Sequence, residues 1–222
     1  MLHGFLPALL AGAGLTLALA AAALAIGTAI GLLGAALRLW GGAWARAAAG
    51  AYVAIVRGVP DLLIIFLVYF GGTVSLSAVF GRYVEVDAFT AGATALGFVF
   101  GAYATEVFRG AILGVARGQI EGARSLGLRP AWIFAFVTLP QAWRLALPPY
   151  GNQTLVLLKQ TSLVSVVGLE ELMRKAGLAA GFSQEPFTFY LAAAALYLAM
   201  TGCLSLAFRA AEWRAKRGLA RV

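Results

Sequence analysis

From Pro7 to Leu37 the chain carries no charged residue. That run is longer than the ~20 apolar residues an α-helix needs to cross the hydrocarbon core of a bilayer. Inside that core no water answers a free peptide group, so the backbone must close its hydrogen bonds on itself, as a helix does. Comparable apolar stretches recur at about Leu62 to Val79, Thr90 to Phe108 and Phe187 to Phe208. The chain of 222 residues is 62% hydrophobic and only 12% charged, where soluble domains hold ~25% charged residues. The expected fold is therefore an all-α integral membrane protein, built as a single domain over residues 1–222 without internal repeat or linker. Gly12, Gly14, Gly27, Gly31 and Gly34 give the first helix small faces suited to close helix packing.

One more span, the fourth in chain order, is expected at about Tyr150 to Leu169, although Asn152, Gln153, Lys159, Gln160, Thr161 and Ser162 lie within it. So polar a span must face protein or a water-filled cavity. No Lys or Arg precedes Arg38, so the positive start that marks a cleaved signal peptide is absent. The first helix is read as retained, with its start outside. Arg38, Arg46, Arg57, Arg109, Arg117, Arg124, Arg129, Arg144, Arg209, Arg214, Lys216, Arg217 and Arg221 then fall in inner segments. Only Arg82, Arg174 and Lys175 fall outside, among the acids Glu85, Asp87, Glu170, Glu171 and Glu185. This asymmetry follows the positive-inside rule and leaves the C-terminus in the cytoplasm. The net charge of +8 is thus topology, and no nucleic-acid partner is expected.

Gly118 to Pro140, GQIEGARSLGLRPAWIFAFVTLP, is a polar, arginine-bearing interval between apolar blocks. Glu121, Arg124, Ser125 and Leu128 share a helix face by their i, i+3, i+4, i+7 spacing. Gly127 and Pro130 form a stop signal. Trp132, Ile133, Phe136 and Val137 open a second amphipathic run that ends at Pro140. Placed in the cytoplasm by the charge count, this segment has the form of a docking element or of an ordinary interfacial helix.

Ionisable residues inside a span are expensive and mark functional sites by default. Glu106 lies in the third span, Lys159 in the fourth, and Asp61 at the start of the second. These three, with Gln160, Thr161 and Ser162 as hydrogen-bonding neighbours, are the candidate substrate path. Lys159 would receive a carboxylate; Glu106, with Asp61, would receive a cation. More local readings stand beside this one: Arg57 pairing with Asp61 (i, i+4), Glu106 with Arg109 (i, i+3), or Glu106 with Lys159 as a tie between helices.

Several classes are excluded. One histidine, at His3, and one cysteine, Cys203, leave no disulfide framework, no Cys or His metal site and no His-based catalytic triad. No Gly-Lys pair exists, so there is no P-loop and no ATP hydrolysis by that route.

Glu121-Gly122-Ala123, then Gly127, then Thr138-Leu139-Pro140 resembles the cytoplasmic EAA loop of ABC importer permeases, in the branch that carries polar amino acids. Arg57-Gly-Val-Pro-Asp61 and the stretch LPPYGNQTLVLLKQTSLVSVVGLEEL resemble two further signatures of that branch. LHGF, VEVD and QEPF look most like a permease subunit of the histidine and lysine/arginine/ornithine importers. The resemblance covers Thr16 through the last span. The chain departs from it at Gly122, usually alanine, and at Gln160, aspartate in many relatives.

The resemblance implies a type I importer permease of about five transmembrane helices in a bacterial inner membrane, with the N-terminus periplasmic. It implies transport of polar, and more narrowly basic, amino acids. A coupling loop at about 115–140 would meet the ATPase through Gln119, Glu121, Gly122, Ala123, Arg124 and Gly127. Implied partners are two ATPase subunits, a second permease and a periplasmic binding protein. The chain itself would be no enzyme and hold no cofactor, ATP and Mg being bound by the ATPase. A self-sufficient secondary transporter or channel is the competing class, since it too uses polar residues at mid-membrane.

Overall fold

The computed structural model describes residues 2–216, with side chains from 4 to 215. Arg217 and Arg221, and the side chains of His3 and Lys216, lie outside the described residues. The chain forms α1 (Leu2–Trp40), α2 (Ala43–Gly58), α3 (Asp61–Phe80), α4 (Ala88–Leu113), α5 (Arg117–Ser125), α6 (Pro130–Ile133), α7 (Leu139–Gln160), α8 (Leu172–Ser183) and α9 (Pro186–Lys216). A π-helical turn, Phe134–Thr138, joins α6 to α7, and a 3₁₀ segment, Thr161–Val167, follows α7. No strand occurs among the described residues.

Helices α1, α3, α4 and α9 are each long and apolar enough to cross a membrane. The expected fourth span differs. Its helix starts earlier, at Leu139, and stops at Gln160, so the interval up to Leu169 is not one regular helix. Polar side chains from Asn152 to Ser162 lower the hydropathy of α7, and the 3₁₀ turn re-aims the chain. Pro140 does not end the amphipathic run either. It lies in the first turn of α7, directly after the π-helical turn.

The core is the pairing of α1 with α4, which run in the same direction. Gly31 faces Ala104 so closely that a Cβ would stand 2.5 Å from the Ala104 Cβ. At Gly34 it would stand 2.3 Å from Thr105 Oγ1. Small residues at this spacing let the backbones approach and replace the hydrophobic drive that lipid does not supply. Gly27 belongs to the same face and Gly12 meets Leu172, whereas Gly14 faces open space and plays no packing part. A second cluster joins Leu9 and Ala13 of α1 to Leu172, Ala176 and Ala180 of α8 and Phe189 of α9.

Glu171 is fully buried at the junction of these helices, not part of an exposed outer loop. It caps α8 by accepting the Arg174 N–H at 2.9 Å. Its other oxygen accepts from Tyr197 Oη at 2.9 Å and lies 3.2 Å from Thr16 Oγ1. Thr16 also reaches its own backbone, the Gly12 carbonyl, at 3.0 Å. Three sequence-distant elements are therefore tied by one carboxylate whose oxygens are satisfied.

Candidate functional site

The route between the first and second apolar blocks is broken. Helix α2 ends at Gly58, Val59 is extended (φ −104°, ψ 138°), and α3 starts after Pro60. Proline fixes the backbone and has no N–H, so it opens a new helix better than it continues one. Arg57 and Asp61 are consequently not helical i, i+4 partners. The Arg57 guanidinium stands over the Tyr103 ring of α4, 5.1 Å from its centroid. Tyr103 lies well inside α4, so Arg57 packs along that helix.

Asp61 instead receives a hydrogen bond from Gln160 Nε2 at 2.5 Å. The two residues are the first of α3 and the last of α7. Two interrupted helices thus meet, the amide end of α3 beside the carbonyl end of α7. Helix ends carry partial charges, positive at the amide end and negative at the carbonyl end, and so suit ligands that carry charge.

The expected path residues fall into three separate places. Glu106 is held by Arg38 Nη1 at 2.5 Å and Arg109 Nη2 at 2.7 Å. The local pairing with Arg109 is therefore present, joined by an arginine from α1 that the sequence reading did not connect. Glu106 and Lys159 do not meet. Glu106 belongs to the face of α4 turned toward α1, and the close glycine contacts of that pair decide the rotation. Lys159 and Ser162 line a cleft of about 360 Å³ with Met173, Tyr190, Ala193, Ala194 and Tyr197. Thr161 is fully buried and spends its hydroxyl on the Leu158 carbonyl at 2.6 Å. Steps of about 100° per residue explain why Gln160 and Thr161 turn away from the cleft that Lys159 and Ser162 share. Tyr190, Tyr197 and Met173 were missed because a tyrosine or methionine in an apolar block carries no signal of its own.

The coupling candidates do form one feature. Gln119, Glu121, Gly122 and Arg124 are exposed on α5, and Ala123 is buried as its anchor. Gly127 has φ +76°. Its N–H donates to the Arg124 carbonyl at 3.0 Å, and the Leu128 N–H to the Ala123 carbonyl at 3.4 Å. This is a Schellman cap, which needs the left-handed residue that glycine supplies without strain. Leu128 lies beyond the helix, so it does not extend the Glu121 face. Leu126 is 80% exposed and Leu128 41%, giving the loop an uncovered apolar tip. Trp132 and Phe136 stack at 5.0 Å, both exposed. Outside the membrane, the Lys175 ammonium beside Glu170 holds that carboxyl below the usual carboxylate range.

No group of three or more His, Cys, Asp or Glu suited to a metal occurs among the described residues.

Known proteins share this architecture. The chain is 46% identical over 213 residues to the octopine transport system permease protein OccQ of Rhizobium meliloti, covering 94% of this chain and 90% of the relative. It is 37% identical over 206 residues to the histidine/lysine/arginine/ornithine transport system permease protein HisQ of Escherichia coli, covering 90% of each. A crystal structure of an amino acid ABC transporter with histidines superposes with a TM-score of 0.86 at 34% identity, covering 96% of both chains. The methionine transporter MetNI in an inward-facing form gives 0.69 at 19% identity over 96% of both chains, which speaks for the fold alone. A family profile for binding-protein-dependent transport system inner membrane components matches residues 27–217. The self-sufficient carrier or channel is thereby set aside, and the chain belongs to the family of binding-protein-dependent transport system inner membrane components, the permease subunits of ABC importers.

Proposed function

We propose that this chain is the permease subunit of an importer for basic amino acids in a bacterial inner membrane. The observation that carries the proposal is the meeting of α3 and α7 at Asp61 and Gln160, beside the cleft that Lys159 and Ser162 line. A substrate with one carboxylate and two cations finds opposite charges in these places: Lys159 for the carboxylate, Asp61 for a cation. Relatives whose names include octopine, histidine, lysine, arginine and ornithine support this substrate class.

Residues 115–140 act as the cytoplasmic coupling loop. The exposed α5, held at its end by Gly127, presents Gln119, Glu121, Gly122 and Arg124 to a separate ATPase that binds ATP and Mg. Arg38, Arg109, Arg117 and Arg144 cluster toward the same end of the bundle, and Arg82 and Arg174 toward the other, which supports a periplasmic N-terminus. α3 and α9 bury little of their apolar length, 11% and 6%. Lipid and a second permease subunit cover them, and a periplasmic binding protein delivers the substrate from the outer side. Glu106 is removed from the substrate-contacting set on this reading, since Arg38 and Arg109 already neutralise it.

Uptake into proteoliposomes holding the complete transporter tests the substrate class. Labelled arginine, histidine and lysine should enter with ATP inside, and glutamate should not compete. Import of glutamate or leucine in preference to all three would sink the basic assignment.

A further inference from the structure

Two cations, Lys159 and Arg174, stand in one groove whose lining holds no acid. Lys159 lines the inner cleft of about 360 Å³, and Arg174 lines an adjoining one of about 530 Å³. Met173 and Tyr190 border both, so the clefts form one groove between the 3₁₀ segment, α8 and α9. Ser162 and Ser165 add hydroxyls, and no Asp or Glu lines either part. Of the acids nearest Arg174 in sequence, Glu170 pairs with Lys175 and feels Arg174 only as a weaker, unbonded charge, and buried Glu171 is engaged with Tyr197 and Thr16. Among the described residues neither Lys159 nor Arg174 has an ion-pair partner. Both side chains are exposed. A cleft lined by one sign of charge with low-dielectric walls focuses its field and draws in the opposite ion.

We infer that this groove receives the carboxylate of the incoming amino acid, with Arg174 as a binding residue at the outer mouth and Lys159 as the inner station. The planar guanidinium suits two-point capture of a carboxylate, and the flexible ammonium suits a second, looser hold. This subunit therefore reads the acidic end of its substrate from the outer side, and nothing in the groove reads a side-chain cation. The inference rests on the amino-acid reading above and extends it to Arg174. A lipid phosphate offers similar chemistry, so the test must separate the two anions.

The complete transporter in proteoliposomes is assayed with labelled arginine, histidine, glutamine and glutamate, comparing wild type, Arg174→Gln and Arg174→Lys. A lost charge-assisted contact should raise the half-saturating concentration about tenfold in Arg174→Gln, with the maximal rate little changed and Arg174→Lys largely rescued. The wild type should also weaken with added salt more steeply than Arg174→Gln. An unchanged half-saturation in Arg174→Gln overturns the inference. So does a defect that vanishes in vesicles of digalactosyl diacylglycerol, which lacks phosphate, because lipid would then be the anion. If only glutamine or glutamate enters, the basic-substrate reading fails, and Arg174→Gln is scored on whichever is carried. If none of the four enters, both fall.

Discussion

Asp61 and Gln160, separated by 99 positions, meet by a single hydrogen bond where one helix begins and another ends. The contact fixes the α2–α3 break against the α7 end, and it gives Asp61 a neutral partner. A carboxylate answered by an amide keeps its charge available to a passing cation, which an arginine partner would cancel.

Gln160→Leu should leave Asp61 without that donor. A hydrogen bond to a charged group contributes about 1.5–3 kcal/mol, so uptake should fall about tenfold or more while the protein still reaches the membrane. Initial rates of uptake normalised to membrane content check this.

The two glycines of the proposed coupling loop should behave oppositely. Gly122 is helical with nothing within 4 Å of an added Cβ, so Gly122→Ala should firm α5 by about 1 kcal/mol and leave uptake intact. Gly127→Val forces a side chain into the left-handed region and should cost about 1–2 kcal/mol locally, uncoupling ATP hydrolysis from uptake. Equal behaviour of the two variants in an ATPase-to-uptake ratio would contradict the cap geometry.

Glu106 should respond to changes at Arg38, not at Lys159. Glu106→Arg with Arg38→Glu should recover most of the thermal stability that Glu106→Arg loses. The pair is partly solvated, with side-chain exposures of 29% and 23%, so the recovered coupling should be about 1 kcal/mol. Thermal unfolding in detergent reads it. Exchange of charges between Glu106 and Lys159 should recover nothing.

Glu171→Ala should strand Tyr197 and the Arg174 N–H in a buried site, a loss of about 1–3 kcal/mol. Glu171→Gln keeps most acceptor capacity and should lie between it and wild type in the same thermal assay.

The helices were legible because charge-free runs in a bilayer leave the backbone one solution, and the α5 stop was legible because Gly127 and Pro130 are local signals. The α2–α3 break was visible at Pro60, but a four-residue spacing suggested an Arg57–Asp61 pair that requires the helix Pro60 interrupts. Glu106 and Lys159 were found as costly residues, yet their partners depend on how α4 rotates against α1. That rotation is set by Gly31 and Gly34 meeting Ala104 and Thr105, a contact between distant segments. Glu171 looked like an outer-loop acid because its partners, Thr16 and Tyr197, are isolated polar residues in apolar runs. The π-turn at Phe134–Thr138 had no sequence signature.

The central claim is that a separate ATPase drives this chain through α5. Wild type and Glu121→Lys are compared in proteoliposomes with the ATPase, second permease and binding protein, reading substrate-stimulated ATP hydrolysis and uptake together. Exposed Glu121 forms no ion pair among the described residues, so its reversal should not disturb folding. The account predicts that both rates fall at least tenfold while membrane insertion is unchanged. Full stimulation and uptake with the reversed charge would contradict it.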